Sequence, residues 1–330
     1  MTAIAIIGQG GMARAHARAW SEIGLGDSIR YVCAPGAPIP IADAPAAAFV
    51  TDLATVLADP EVDIVSICTP TPTHADLAIR CLEAGRNVLL EKPIALTLID
   101  AVAIQRAAAT SRGMLMVAHV VRFFDGYRAI REQVEAGALG TVLTVRAERL
   151  SATPGPSSWW HDESKSGGVV VDFAIHDFDQ LNLFLGRPLS VAARRARTDG
   201  PIEVTVDFEG GGMGRVASFM GLPPEFPFAS SIEVLGSRGL ADHRFTGSPT
   251  GAVTPVGNDS YRLVVDGLAN HRIESGNPYA RQAQYFLNCV RDGVEPEFCP
   301  IEDAVVALAV ALAARESLAS GAPVPISLVE

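Results

Sequence analysis

Three stretches of this chain hold residue types that could do chemistry. The first is Asn87-Val88-Leu89-Leu90-Glu91-Lys92-Pro93, an apolar run ending in a carboxylate, an amine and a proline. The second is 167–186, where Asp172 and His176 stand four residues apart among Phe173, Phe178, Leu181 and Leu185. The third is Gly8-Gln9-Gly10-Gly11-Met12-Ala13. An amine held against a reacting oxygen stabilises developing negative charge. A carboxylate beside an imidazole fixes its tautomer and raises its basicity, so the pair can move a proton near neutrality. A glycine turn before a helix presents oriented N–H groups to a phosphate. Viewed singly, each has a plainer reading: a strand-end ion pair, an exposed i,i+4 pair and a tight turn.

The elements that would position these residues follow from pattern. Residues 3–7 are a short apolar strand, and 14–23 carry helical spacing, so the GxGxxA turn lies between strand and helix, the context of a dinucleotide fingerprint. Gly8 allows the turn, Gly10 lets backbone approach a pyrophosphate, and Ala13 permits close helix–sheet packing. Residues 29–33 and 62–68 read as further strands, and 51–58 and 75–84 as helices. Val88–Leu90 has the character of a strand buried on both faces. Pro93 lacks the N–H that a central strand needs. Glu91 and Lys92 are therefore expected at the carboxyl edge of a parallel sheet, where ligands bind. The turn Thr69–His74 belongs to the same edge. After helix 97–112 and strand 114–121 the pattern changes. Segments 141–150, 189–197, 202–208, 213–220, 230–235 and 240–245 read as strands with hairpin-like links, and 127–136, 279–292 and 302–320 as helices. The expected fold class is α/β: an N-terminal doubly wound Rossmann sheet over 1–121, then an α+β domain with a largely antiparallel open sheet over 122–330.

Composition excludes several classes. The 330 residues are 48% hydrophobic and 19% charged, enough for two cores. The net charge of −11 argues against nucleic acid or an anionic membrane as partner. No apolar run has the length of a membrane span, and residues 2–7 lack the basic lead-in of a signal peptide. Five cysteines without CxxC spacing read as reduced thiols of a cytoplasmic protein, with Cys33, Cys68 and Cys81 in apolar segments. No His/Cys cluster has metal-ligand spacing. An acid is expected after the second strand to bind the ribose; Cys33-Ala34-Pro35-Gly36 offers none. The Ala/Pro-rich stretch 34–48 shortens or removes the usual second helix, and Asp43 reads as a solvated loop acid. Asp177 and Asp179 read as capping or solvated groups.

The GxGxxA turn, Thr69-Pro70 with His74, Glu91-Lys92-Pro93 after 83–90, and the segments 122–142 and 167–186 together resemble the Gfo/Idh/MocA oxidoreductase family over nearly the whole chain. The resemblance implies reversible hydride transfer between a nicotinamide and a carbinol carbon of a sugar, inositol or related polyol. It makes Lys92, Asp172 and His176 the catalytic set. His176 would take the hydroxyl proton, Asp172 would orient it or contact a neighbouring hydroxyl, and Lys92 would face the alkoxide. Gly8, Gly10, Gly11, Met12, Ala13, Thr69, Pro70, His74, Glu91 and Lys92 would bind NAD or NADP, with the balance inclining to NAD. Trp159 or Trp160 would stack on a sugar face, with core packing an equal reading for one of them. His161 and Arg122 are further substrate candidates, and no metal is expected. A homodimer or homotetramer through the open sheet face is implied. Two other readings fit the scaffold: an NAD-dependent glycosidase or epimerising enzyme, and a non-catalytic nucleotide sensor.

Overall fold

A computed structural model describes residues 2–155, 159–247, 257–265, 268–271 and 276–327. The chain forms two compact units, Met1–Val120 with Asn277–Val305, and Val121–Gly276 with Val306–Glu330. In the first unit, β1 (Ala3–Ile7), α1 (Gly11–Glu22), β2 (Ile29–Cys33), β3 (Ala48–Val50), α2 (Leu53–Ala58), β4 (Val62–Ile67), α3 (His74–Glu83), β5 (Asn87–Glu91), α4 (Leu98–Thr110) and β6 (Leu115–Ala118) follow in order. All six strands are parallel, in the order β3-β2-β1-β4-β5-β6. Strand order reverses between β1 and β4, which makes that crevice the topological switch point. Ile4, Ile6, Val65, Leu89 and Leu90 are buried on this sheet, as strands covered on both faces require. No helix forms between β2 and β3 among the described residues, as the Ala/Pro composition implies.

The strand expected over 114–121 ends early, at Ala118, and Val120–Phe123 is a 3₁₀ turn. Its partner explains this. The last pair of the ladder is Glu91 with Ala118, and beyond it lies Pro93, which cannot donate to a ladder.

The second unit contains α5 (Asp125–Glu135), β7 (Val142–Ala152), α6 (Glu163–Ser166), a π-helical turn over Val169–Phe173 and α7 (Ile175–Leu185). There follow β8 (Pro188–Arg195), β9 (Ile202–Phe208), β10 (Met213–Leu222), β11 (Ala229–Gly236), β12 (Gly239–Gly247), β13 (Gly257–Val265) and β14 (Leu268–His271). Helix α8 (Pro278–Asp292) returns to the first unit, α9 (Ile301–Ser320) starts there and runs into the second, and β15 (Val324–Pro325) closes the sheet edge. The strands pair in the order β14-β13-β12-β11-β7-β10-β9-β8-β15. Every neighbouring pair is antiparallel except β7 with β10. Alternation gives this sheet two unlike faces. Val145, Ala147, Val204, Val216 and Val234 are buried, and α7 packs there through Phe178 and Leu181. Burying side chains of that size contributes roughly 2 kcal/mol each. Arg146, Glu148, Glu203 and Arg215 point the other way.

Candidate active site and cofactor cradle

The glycine turn is built for close approach. Gly8 has φ of +118°, and a Cβ there would stand 2.5 Å from the carbonyl oxygen of Cys68. The turn after β1 is thus pressed onto the loop that opens Thr69-Pro70. Gly10 and Gly11 differ: a Cβ at either meets nothing within 4 Å. Gly10 is the N-cap of α1 and supplies no side-chain cap. The first N–H groups of a helix have no intrahelical partner. Open backbone at Gly10 and Gly11, with the positive end of the helix dipole behind it, fits the pyrophosphate of a dinucleotide, whereas Ala13 is buried against the sheet as the fingerprint's packing position. Gln9 reaches the loop that follows β2. Its amide donates to the carbonyls of Pro35 and Ala37 at 3.3 and 3.2 Å and accepts from Ile39 N at 2.9 Å. This clamps the loop that replaces the missing second helix, a role the fingerprint does not reveal.

Glu91 and Lys92 stand where the apolar run places them, at the carboxyl end of β5. Lys92 is partly exposed, whereas Glu91 is buried. The Glu91 carboxylate accepts from His16 Nε2 at 2.9 Å and from the Lys92 backbone N–H at 3.2 Å. Burial works against its charge, and hydrogen bonding from His16 outweighs it, so Glu91 is held below the ordinary carboxylate range. For His16, burial opposes the charged ring, and the Cys68 side chain and Glu91 together outweigh it, raising the imidazole to about 10. A buried imidazolium–carboxylate pair results. His74 is buried too, with Nδ1 on the carbonyl of Pro93 and Nε2 on that of Thr69, both at 2.9 Å. Any part that Glu91 or His74 takes in holding a cofactor passes through the loops they brace, since neither side chain is exposed.

In the second unit, Gly167 and Gly168 have φ of +77° and +67°. A Cβ on Gly167 would lie 2.5 Å from that of Val171, so glycine is required before the π turn. Asp172 lies in that turn and His176 in the first turn of α7. They do not share a single regular α-helix as the i,i+4 spacing suggests, because Asp172 lies in the π turn, which closes i→i+5 rather than i→i+4 bonds, and α7 begins only at Ile175. Asp172 Oδ2 accepts from the indole N–H of Trp160 at 3.1 Å. Trp159 is 41% exposed. His161 is exposed and donates from Nε2 to the carbonyls of Pro154 and Gly155 at 3.2 and 3.0 Å. Pro156, Ser157 and Ser158 lie outside the described residues.

Two expectations are corrected here. Asp177 and Asp179 neither cap nor solvate; both are buried. Asp177 accepts two bonds from Arg149, at 2.9 and 2.7 Å. Asp179 does the same with Arg122, through Nε at 2.8 Å and through Nη2. Each carboxylate uses both oxygens as acceptors; burial pushes the Asp177 carboxyl up from the ordinary range, and Arg149 works against that shift. Burial opposes the charged Arg149 guanidinium, and Asp177 outweighs it, so Arg149 is raised. A charge cannot be buried without such a partner, so these four residues fix α7 around His176. Arg122 is thereby engaged with α7, and Trp160 with Asp172. Sequence reasoning missed His16 and Arg149. Both had a signal. His16 falls on the buried stripe 13, 16, 17, 20 of α1, and Arg149 on the inward alternation 145, 147, 149 of β7.

The comparisons with known proteins agree with this architecture. Residues 2–119 match the model of the oxidoreductase family with an NAD-binding Rossmann fold, and residues 127–242 match the GFO/IDH/MocA C-terminal domain. The chain belongs to the Gfo/Idh/MocA oxidoreductase family. It is 25% identical over 284 residues to scyllo-inositol 2-dehydrogenase (NAD(+)) of Bacillus subtilis (strain 168), covering 83% of this chain and 80% of that one. It is 34% identical over 195 residues to inositol 2-dehydrogenase of Rhizobium meliloti (strain 1021), covering 58% and 57%. Among solved structures, a candidate myo-inositol dehydrogenase from Sinorhizobium meliloti 1021 aligns with a TM-score of 0.79 at 27% identity, over 99% of this chain and all of that one. Among the described residues, no helix is long and apolar enough to cross a membrane, and no His/Cys/Asp/Glu group is arranged to hold a metal.

Proposed function

We propose that this protein is a nicotinamide-dependent dehydrogenase that oxidises a ring hydroxyl of an inositol, a sugar or a related polyol. The observation that carries the proposal is the shared edge of the first sheet. The open glycine turn after β1, the Thr69-Pro70 turn after β4 and Lys92 after β5 all lie at the carboxyl ends of neighbouring parallel strands. The nicotinamide supplies the hydride acceptor when bound. The chain's residues do the rest. Gly10–Ala13 bind the phosphates through backbone N–H groups. Lys92 offers a cation to the oxygen that gains negative charge. His176 takes the hydroxyl proton, Asp172 orients the group that does so, and Trp159 stacks on the ring. The first unit binds the dinucleotide and the second the substrate and a second copy of the chain. The outer sheet face supports self-association, because Arg146, Arg215 and Arg262 alternate with Glu233, Glu203 and Asp242 on it. NAD is the favoured cofactor, following the named NAD(+) specificity of the Bacillus subtilis relative. The five free, buried thiols support a cytoplasmic protein.

The test is a panel of inositols and aldoses with NAD and NADP, read by reduced-cofactor absorbance. Net reduced cofactor is expected for at least one cyclic polyol. Lys92→Ala should lose turnover while still binding NADH. Unchanged turnover in that variant, or product without net reduced cofactor, would sink the proposal.

A further inference from the structure

Three features of the first unit stand in one line of contact. Helix α1 begins at the open glycine turn and carries His16 in its second turn. His16 Nε2 donates to Glu91 Oε1 at 2.9 Å, and Glu91 Oε2 accepts from the backbone N–H of Lys92 at 3.2 Å. His16 and Glu91 are 2% and 4% exposed, so water does not compete for this bond. The Cys68 side chain and the ring of Tyr279 close the remaining sides of the imidazole. Neither His16 nor Glu91 reaches the open face of the glycine turn, so neither is placed to touch a ligand.

We propose that His16 is a positioning residue which, through its buried ion pair with Glu91, sets the place of Lys92 relative to the helix that holds the cofactor phosphates. The inference rests on the reading that Lys92 faces the bound nicotinamide. The physical reason for such a device is the lysine side chain itself. It starts from the Lys92 backbone, so a shift of that backbone carries the ammonium with it, and a catalytic cation displaced by about 1 Å can cost on the order of 100-fold in rate. The strand end alone cannot set that distance, because Pro93 breaks the ladder immediately after Lys92. A short, water-excluded ionic bond from α1 to the residue before Lys92 supplies the missing constraint. Since α1 is rigid between Gly11 and His16, the bond measures Lys92 against the phosphate-binding amides.

The chain has an internal reference for testing this. Lys92 and Lys165 are its only lysines, and Lys165 is exposed in the second unit. Competitive acetylation of the full chain, read by peptide mass spectrometry as the Lys92/Lys165 ratio, reports the setting of Lys92 with and without NADH. In the wild type, NADH should protect Lys92 by about 10-fold, the effect of roughly one unit of altered amine reactivity. In His16→Leu, NADH should still bind, as followed by its fluorescence, but protection should fall below about twofold and kcat by on the order of 100-fold, with cofactor KM nearly unchanged. His16→Gln retains a donor toward Glu91 and should recover most of both. Should His16→Leu fail to fold, Glu91→Gln and His16→Gln decide. A folded His16→Leu with wild-type protection and kcat, or a His16→Gln no better than His16→Leu, would overturn the inference. Absence of NADH protection in the wild type would instead overturn the reading of Lys92 on which it rests.

Discussion

The two units secure their chemistry-bearing residues with buried charge in different ways. In the first, one imidazole and one carboxylate, His16 and Glu91, hold the strand end that carries Lys92. In the second, two guanidinium–carboxylate forks, Arg149–Asp177 and Arg122–Asp179, hold the helix that carries His176. An arginine stays charged at any pH a protein meets, and its planar fork matches a carboxylate bidentately. A histidine does not stay charged, so its pair is conditional on pH. The contrast assigns rigidity to the helix that carries His176 and pH sensitivity to the strand end that carries Lys92.

The comparison can be broken most forcefully at Asp177. Asp177→Ala leaves Arg149 buried without its counter-ion, which costs about 3–5 kcal/mol. The unfolding transition of the second unit, followed by chemical denaturation, should weaken by that amount, while NADH binding by the first unit survives. A loss below about 1 kcal/mol would mean that the fork is not needed to hold α7.

The pH contrast comes next. His16 is raised from 6.5 to about 10 in the folded chain. Its stabilising contribution is therefore complete below 6.5 and is lost as pH rises through the folded value near 10. Glu91 is lowered from 4.5, so its contribution is present above 4.5 and is lost as pH falls through its folded value. The groups facing His16 are Cys68, Glu91 and Tyr279; Lys92 and His74 face Glu91. Stability of the first unit should fall between pH 6.5 and about 10, with a slope of up to about 1.4 kcal/mol per pH unit. His16→Leu should flatten that slope. Denaturation curves of the two proteins across this range give the answer; equal slopes would remove the contrast.

Smaller effects refine it. Thr97 Oγ1 accepts the Asp100 N–H at 3.1 Å as the N-cap of α4. Thr97→Ala should cost about 1 kcal/mol in the first unit, independent of pH between 6 and 9. On the outer sheet face of the second unit, Arg146 and Glu233 pair at 3.1 Å with Arg146 56% exposed. Arg146→Ala should change stability by less than about 1 kcal/mol. Its larger effect should be on mass in sedimentation, if that face meets a second copy.

Particular residues show how far the sequence could be read. The strand ending at Glu91-Lys92 was legible because a buried parallel strand must be continuously apolar, and a proline must stop it. The glycine turn was legible because strand, turn and helix are consecutive. The π turn behind Gly167-Gly168 was not legible, since Asp172 and His176 keep i,i+4 spacing in either conformation. Asp177 and Asp179 were misread as solvated because a carboxylate's burial depends on a partner elsewhere. That partner is 28 residues away for Asp177 and 57 for Asp179.

By itself, the sequence determined the fold class, a parallel Rossmann sheet followed by a largely antiparallel one, and the glycine turn between β1 and α1, because those depend on periodicity and on bonds between near neighbours. Tertiary structure alone decided which charges are buried together. His16 finds Glu91 across 75 residues, and Arg149 finds Asp177 from a different element. Such pairs form only when packing excludes water and gives each buried ion a single partner.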